Sequence, residues 1–96
     1  MSEPAVGVDE NFVPARGDAV YTVELDGEAV LLDEEANRLH LLNHTATLLW
    51  TLFDGHASLG ELARELAAHL GGRDEVVLVD IVAITRRLAD EGLLAP

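Results

Sequence analysis

At 96 residues, 49% of them apolar, the chain has room for one small domain with its own core, and with no cysteine it excludes a disulfide framework, thiolate catalysis and cysteine-ligated clusters. Its net charge of −12, carried by dispersed acids, opposes a phosphate backbone and argues against nucleic-acid binding, although solubility alone also accounts for such a charge. No apolar run reaches the roughly 18 residues of a membrane span and the acidic N-terminus has no hydrophobic signal segment, so a cytoplasmic protein without membrane contact is expected.

Met1 to Asp18 holds two of the three prolines, two glycines and no periodic pattern, and reads as a mobile lead-in to a domain spanning 19–96. Tyr21, Val23 and Leu25 then alternate with Thr22 and Glu24, the period-two signal of a half-buried strand with Tyr21 on its inward face. Asp26-Gly27 supplies a hairpin turn, because a type I′ turn needs positive φ at both central residues. Glu28 to Leu32 returns as a second strand, Asp33 to Asn37 forms a polar turn, and Arg38 to Leu42 makes a short third strand.

Asn43 is placed to cap a first helix, on which Ala46, Leu49, Trp50 and Phe53 fall at helical spacing as a buried stripe. Asp54-Gly55 ends it. Ser58 and Glu61 have the spacing of a capping box for a second helix, with Leu62, Leu66 and Leu70 facing inward and Gly71-Gly72 as its stop. A third helix runs from Asp74 or Glu75 to Glu91, although the β-branched Val76, Val77 and Val79 also suit a strand. Val77, Ile81, Ile84 and Leu88 form its core stripe. The fold class is α+β and winged-helix-like, a three-stranded antiparallel sheet followed by three helices.

Catalytic chemistry finds little material here. The two serines are Ser2, in the lead-in, and the capping Ser58. His40 and His44 straddle a strand-to-helix switch, which separates their faces, and His44 and His56 read as exposed, so no metal site is expected. There is no glycine-rich phosphate loop. The expectation is a protein that is not an enzyme by itself. Two helices joined by a short break also allow a helix-turn-helix reading, with the third helix as the recognition element. That helix carries Arg86 and Arg87 but also Asp74, Glu75, Asp80, Asp90 and Glu91, which leaves few cations to release counterions.

The run Leu42-Asn43-His44-Thr45-Ala46, followed by Trp50, Asp54-Gly55 and later Asp80-Ile81 and Gly92-Leu93-Leu94, resembles the signature of the PqqD-like family. The resemblance covers about Val20 to Leu94, and it rests on order and spacing, since each element alone is common. Where the PQQ branch of that family has a Tyr-Pro element this chain reads Leu31-Leu32-Asp33-Glu34, and its pattern is closer to the discrete recognition proteins of lasso-peptide-type pathways. The resemblance implies the same β-β-β-α-α-α architecture and a peptide chaperone that needs no cofactor. Its implied partners are the leader segment of a ribosomally made precursor peptide and a modifying enzyme: a radical S-adenosylmethionine protein, a cyclase or a leader peptidase. The leader would lie as an extra strand beside strand three, in a groove shared with helix three.

On that mode, strand three contributes Arg38, Leu39, His40 and Leu41. By alternation from Leu42, His40 points to the core side while Leu39 and Leu41 form an outer apolar patch, against the peptide, a partner enzyme or the N-terminal segment. On helix three, Leu78, Val82, Thr85, Arg86 and Ala89 lie to one side of the core stripe and are the candidate groove lining, with Arg87 and Glu91 on the opposite flank. Val82→Asp or Thr85→Asp is then expected to abolish peptide binding and spare the fold. Two other classes remain open, a winged-helix DNA-binding regulator and a structural subunit of an enzyme complex. An open strand edge can also pair with its twin to give a homodimer.

Overall fold

A computed structural model describes residues 7–95 of the chain. Three strands precede three helices: β1 (Val20–Leu25), β2 (Glu28–Asp33), β3 (Arg38–Leu42), α1 (His44–Leu52), α2 (Leu59–Leu70) and α3 (Asp74–Asp90). The expected α+β class and element order hold. The sheet is antiparallel in the order β1-β2-β3, which leaves β3 at one edge. Asp26 and Gly27 link β1 to β2 with φ of 53° and 81°, the pair of positive values a type I′ turn demands. The second turn is tied by the Asp33 carboxylate, which accepts from the Ala36 N–H at 3.2 Å, and closed by Asn37 at φ 56°.

Strand pairing sets Thr22, Leu31 and His40 side by side across the sheet, and Glu24, Ala29 and Leu42 in the next row on the same face. Leu31, Ala29 and Leu42 are buried, so this face meets the helices. The expectation that Tyr21, Val23 and Leu25 point inward is overturned, since all three are more than half exposed. Alternation finds the two faces of a strand but not which one is covered. Here the decision is made by Thr22, whose hydroxyl accepts from the indole Nε1 of the fully buried Trp50 at 2.9 Å. A buried indole N–H left without a partner would cost about 1–3 kcal/mol.

Local rules place the helices. The Asn43 side chain accepts from the Ala46 N–H at 2.9 Å and caps α1, whose Ala46, Leu49 and Trp50 are buried together with Phe53 just past its end. Ser58 and Glu61 form both halves of the capping box on α2. Leu62 and Leu66 are buried as expected, but Leu70 is 42% exposed, because it closes the last turn beside the exposed His69 and Gly71. The stretch Val76–Val79 is helical, within an α3 that begins at Asp74 with Asp74 and Glu75 in its first turn, where carboxylates suit the positive end of the helix dipole. Val77, Ile81 and Leu88 are buried and Ile84 is half-buried.

The stretch expected to be a mobile lead-in divides in two. Residues 1–6, with Ser2, lie outside the described residues. From Val8 to Gly17 the chain forms a strap across the helices. Leu59 and Gly60 donate from the first turn of α2 to the carbonyls of Phe12 and Glu10, and Gly55 donates to Pro14. The strap then meets the C-terminal tail, where Gly17 donates to the Leu93 carbonyl at 2.9 Å and Ala95 to the Ala15 carbonyl at 2.8 Å. A Cβ at Gly17 would stand 2.8 Å from the Leu93 oxygen, so only glycine permits this approach. Within the strap, Val8 and Pro14 are buried.

Candidate functional site

The feature that distinguishes β3 is what lies beside it. One side pairs with β2; beyond the other, no further strand pairs with it among the described residues. The strand carries no proline or lysine to block pairing, two of the devices by which proteins commonly protect an edge. Across the gap runs the C-terminal half of α3, yet no Cα of α3 comes within 8 Å of a Cα of β3. The result is an open cleft with an unpaired backbone on one wall and a helix on the other.

Side chains reach over this cleft. Glu91, at the end of α3, stands 3.9 Å from Arg38 Nη1 and 3.7 Å from His40 Nδ1. Both are long contacts, and the second is ionic only with a protonated imidazole. The His40 side chain is 15% exposed, and among the described residues its buried Nε2 has no hydrogen-bond partner, nor does the buried Thr85 hydroxyl on α3. At the Leu42 end of β3 a concavity of about 460 Å³ is lined by Arg87 of α3, by Leu41, Leu42 and Asn43, and by Leu25, Glu28, Ala29 and Val30 of the first hairpin. The helix wall is therefore the flank that bears Arg87 and Glu91.

The strand half of the expected site stands where it was placed, with His40 on the covered face and Leu39 and Leu41 outward. The helix half does not join it. Leu78, Val82 and Arg86 face the N-terminal strap, where they bound a second concavity with Val8 and Asn11, and the Arg86 guanidinium donates to the Val8 carbonyl at 3.3 Å. Thr85 is fully buried and Ala89, on the same helical stripe, is half-buried. A charge introduced as Thr85→Asp would therefore break the fold before it tested any groove. Arg87 and Glu91 were assigned to the opposite flank, and that is the flank that meets β3. The missed signal is the charge pairing: β3 offers Arg38 and His40, and Glu91 is the acid of helix three that answers them.

The other candidate side chains are local. His44 is exposed and its Nδ1 lies 3.2 Å from the Gly27 carbonyl. Asp54 accepts from the backbone N–H groups of His56 and Ala57, which hold its carboxyl below the usual aspartate range and fix the bend between α1 and α2. Among the described residues no three His, Cys, Asp or Glu side chains converge as a metal site, and no helix is long and apolar enough to cross a membrane.

Comparison with known proteins decides the family. The family model of coenzyme PQQ synthesis protein D (PqqD) matches residues 28–94, the second and third strands and all three helices. The chain belongs to the PqqD family. No curated protein matches it. Among solved structures, this PqqD-family chain is similar to TbiB1 in complex with the TbiA(β) leader peptide, at 25% identity and a TM-score of 0.76, over 83% of this chain and 93% of that one. It also shares the fold of the PqqD truncation of Methylobacterium extorquens PqqCD, described as a functional, stand-alone recognition element for ribosomally synthesized and post-translationally modified peptides. That match has 22% identity and a TM-score of 0.78, over 92% of this chain and 94% of that one.

Proposed function

We propose that this PqqD-family chain is a non-catalytic peptide chaperone. It binds the leader segment of a ribosomally made precursor as a fourth strand on β3 and presents the rest of the peptide to a modifying enzyme. The observation that carries the reading is the unpaired edge of β3 facing an open cleft toward α3. A fold similar to that of a protein solved with a leader peptide supports it. The partner enzyme is a radical S-adenosylmethionine protein, a cyclase or a leader peptidase, each of which gains when its substrate is held at high effective concentration.

Energetics assign the roles. Ordering each peptide residue costs about 1–2 kcal/mol, while a strand hydrogen bond returns about 0.5–1.5 kcal/mol net. Backbone pairing along Arg38–Leu42 therefore sets direction and register but roughly breaks even. Affinity comes from two or three apolar peptide side chains, each contributing about 1.5–3 kcal/mol when fully buried in the cleft. The stem of Arg87 offers the helix-side surface for them.

The test is a titration with a fluorescently labelled peptide from the N-terminal part of a precursor encoded beside this chain's gene. Saturable binding is expected, and N-methylation of the peptide backbone should weaken it at every second position, because alternate residues of an added strand point their N–H groups at β3. Arg87→Glu should weaken binding about fivefold to tenfold, with Arg86→Glu near wild type. A peptide that fails to bind, or equal losses at consecutive methylated positions, would defeat strand addition. The reverse order of the two arginine variants would return the site to the strap side of α3.

A further inference from the structure

The sheet has a second exposed surface, which meets the peptide cleft at its Leu25–Leu41 corner and otherwise lies apart from it. Tyr21, Val23, Leu25, Leu39 and Leu41 all project from the face opposite the helices, with exposures from 54% at Tyr21 to 77% at Leu41. Val30 and Leu32 lie half-buried between them. An antiparallel sheet with one covered face ordinarily presents polar side chains on the other. Here the uncovered face is apolar across all three strands, a contiguous surface rather than scattered apolar residues.

Apart from Arg87, which borders it at the Leu25–Leu41 corner, the rim of this patch is acidic. Asp26 and Glu28 stand at the hairpin end and Glu34 and Glu35 at the opposite turn, all exposed, and no outward position of β1, β2 or β3 holds a lysine or arginine. We propose that this face docks a partner protein whose contact surface is apolar at its centre and basic at its rim, and that this partner is the enzyme to which the β3-bound peptide is delivered. The identity of the partner rests on the chaperone reading above; the docking surface itself does not. A second copy of the chain is the poorer occupant, since two surfaces from molecules of net charge −12 would bring acidic rim against acidic rim. One strand joins the two sites: β3 gives its backbone edge to the peptide and its outward Leu39 to the partner, with Leu41 at the boundary between them. A docked enzyme then lies against the strand that holds its substrate.

The test uses Val23→Lys and Tyr21→Lys, both on β1 and a strand removed from the peptide edge, in the full-length chain. Three readouts are taken: affinity for the labelled leader peptide, affinity for the purified modifying enzyme from the same biosynthetic locus, and the oligomeric state by sedimentation. Leader affinity should stay within about twofold of wild type while enzyme affinity falls about tenfold or more. Wild-type enzyme affinity should also decline as salt is raised, as expected of an acidic rim meeting a basic one. Unchanged enzyme affinity in folded variants overturns the proposal, as does a locus that encodes no such enzyme. So does a wild-type dimer that Val23→Lys splits, which would assign the face to a second copy. If the enzyme docks as expected but no leader binds, it is the chaperone reading that fails.

Discussion

The two faces of the sheet have opposite fates, and not the ones their apolar content suggests. The inner face holds Ala29, Leu31 and Leu42, all buried, together with Thr22, Asp33 and His40. The outer face holds Tyr21, Val23, Leu25, Leu39 and Leu41, all more than half exposed. Judged by side chains alone, the outer face is the more hydrophobic. What commits the inner face to the core is polar: Thr22 meets the Trp50 indole, and Asp33 closes the turn into β3. Hydrophobicity makes a face worth burying, whereas hydrogen-bonding partners decide which of two such faces the helices take, and the face left over becomes available to a partner.

The largest expected contrast lies between two leucines on neighbouring strands. Leu31 is fully buried at the centre of the inner face, and Leu31→Ala should cost about 2–5 kcal/mol, the lost transfer energy plus an unfilled cavity. Leu41→Ala, on the outer face, should change stability by no more than about 0.5 kcal/mol. Urea unfolding of both variants measures the gap. Equal losses would mean that the outer face is already covered in solution, by a second copy or by the chain itself.

The same contrast explains how far the sequence could be read. Elements set by local chemistry were legible: the Asp26-Gly27 turn, the Asn43 cap and the Ser58–Glu61 box each act within four residues and need no tertiary information. The face of β1 was not, because its alternation is equally regular viewed from either side, and the Thr22–Trp50 hydrogen bond spans 28 positions. On α3 the 100° step separated the stripes correctly, yet nothing local tells which stripe turns toward β3 and which toward the strap. The strap itself has no periodicity to detect, since it is held largely by backbone hydrogen bonds to loops, the first turn of α2 and the C-terminal tail.

A smaller effect should separate adjacent residues of β1. Thr22→Val keeps the side-chain shape but leaves the Trp50 N–H without its acceptor in a buried setting, at a cost of about 1–3 kcal/mol, part of it offset by the β-propensity of valine. Val23→Thr, one residue along on the outer face, should be within about 0.5 kcal/mol of wild type. Indole fluorescence reports the first change directly, through the environment of the only tryptophan. A neutral Thr22→Val would mean that a water replaces the hydroxyl, and the polar selection of the inner face would lose its main support.

The smallest effect comes from a group that lies on neither face and tests whether exposure alone implies indifference. Asp54 is exposed, yet the N–H groups of His56 and Ala57 hold its carboxyl below the usual aspartate range. A carboxylate whose folded pKa is depressed adds stability above its unfolded pKa and loses it as pH falls through the folded value. Asp54→Ala should therefore be less stable than wild type at neutral pH, and the difference should shrink on acidification below the ordinary aspartate pKa. Paired urea titrations from pH 7 downward give that difference free of the chain's many other acids, which titrate alike in both proteins. A gap that persists at low pH would show that the neutral carboxyl still accepts both hydrogen bonds, and that geometry rather than charge holds the α1–α2 bend.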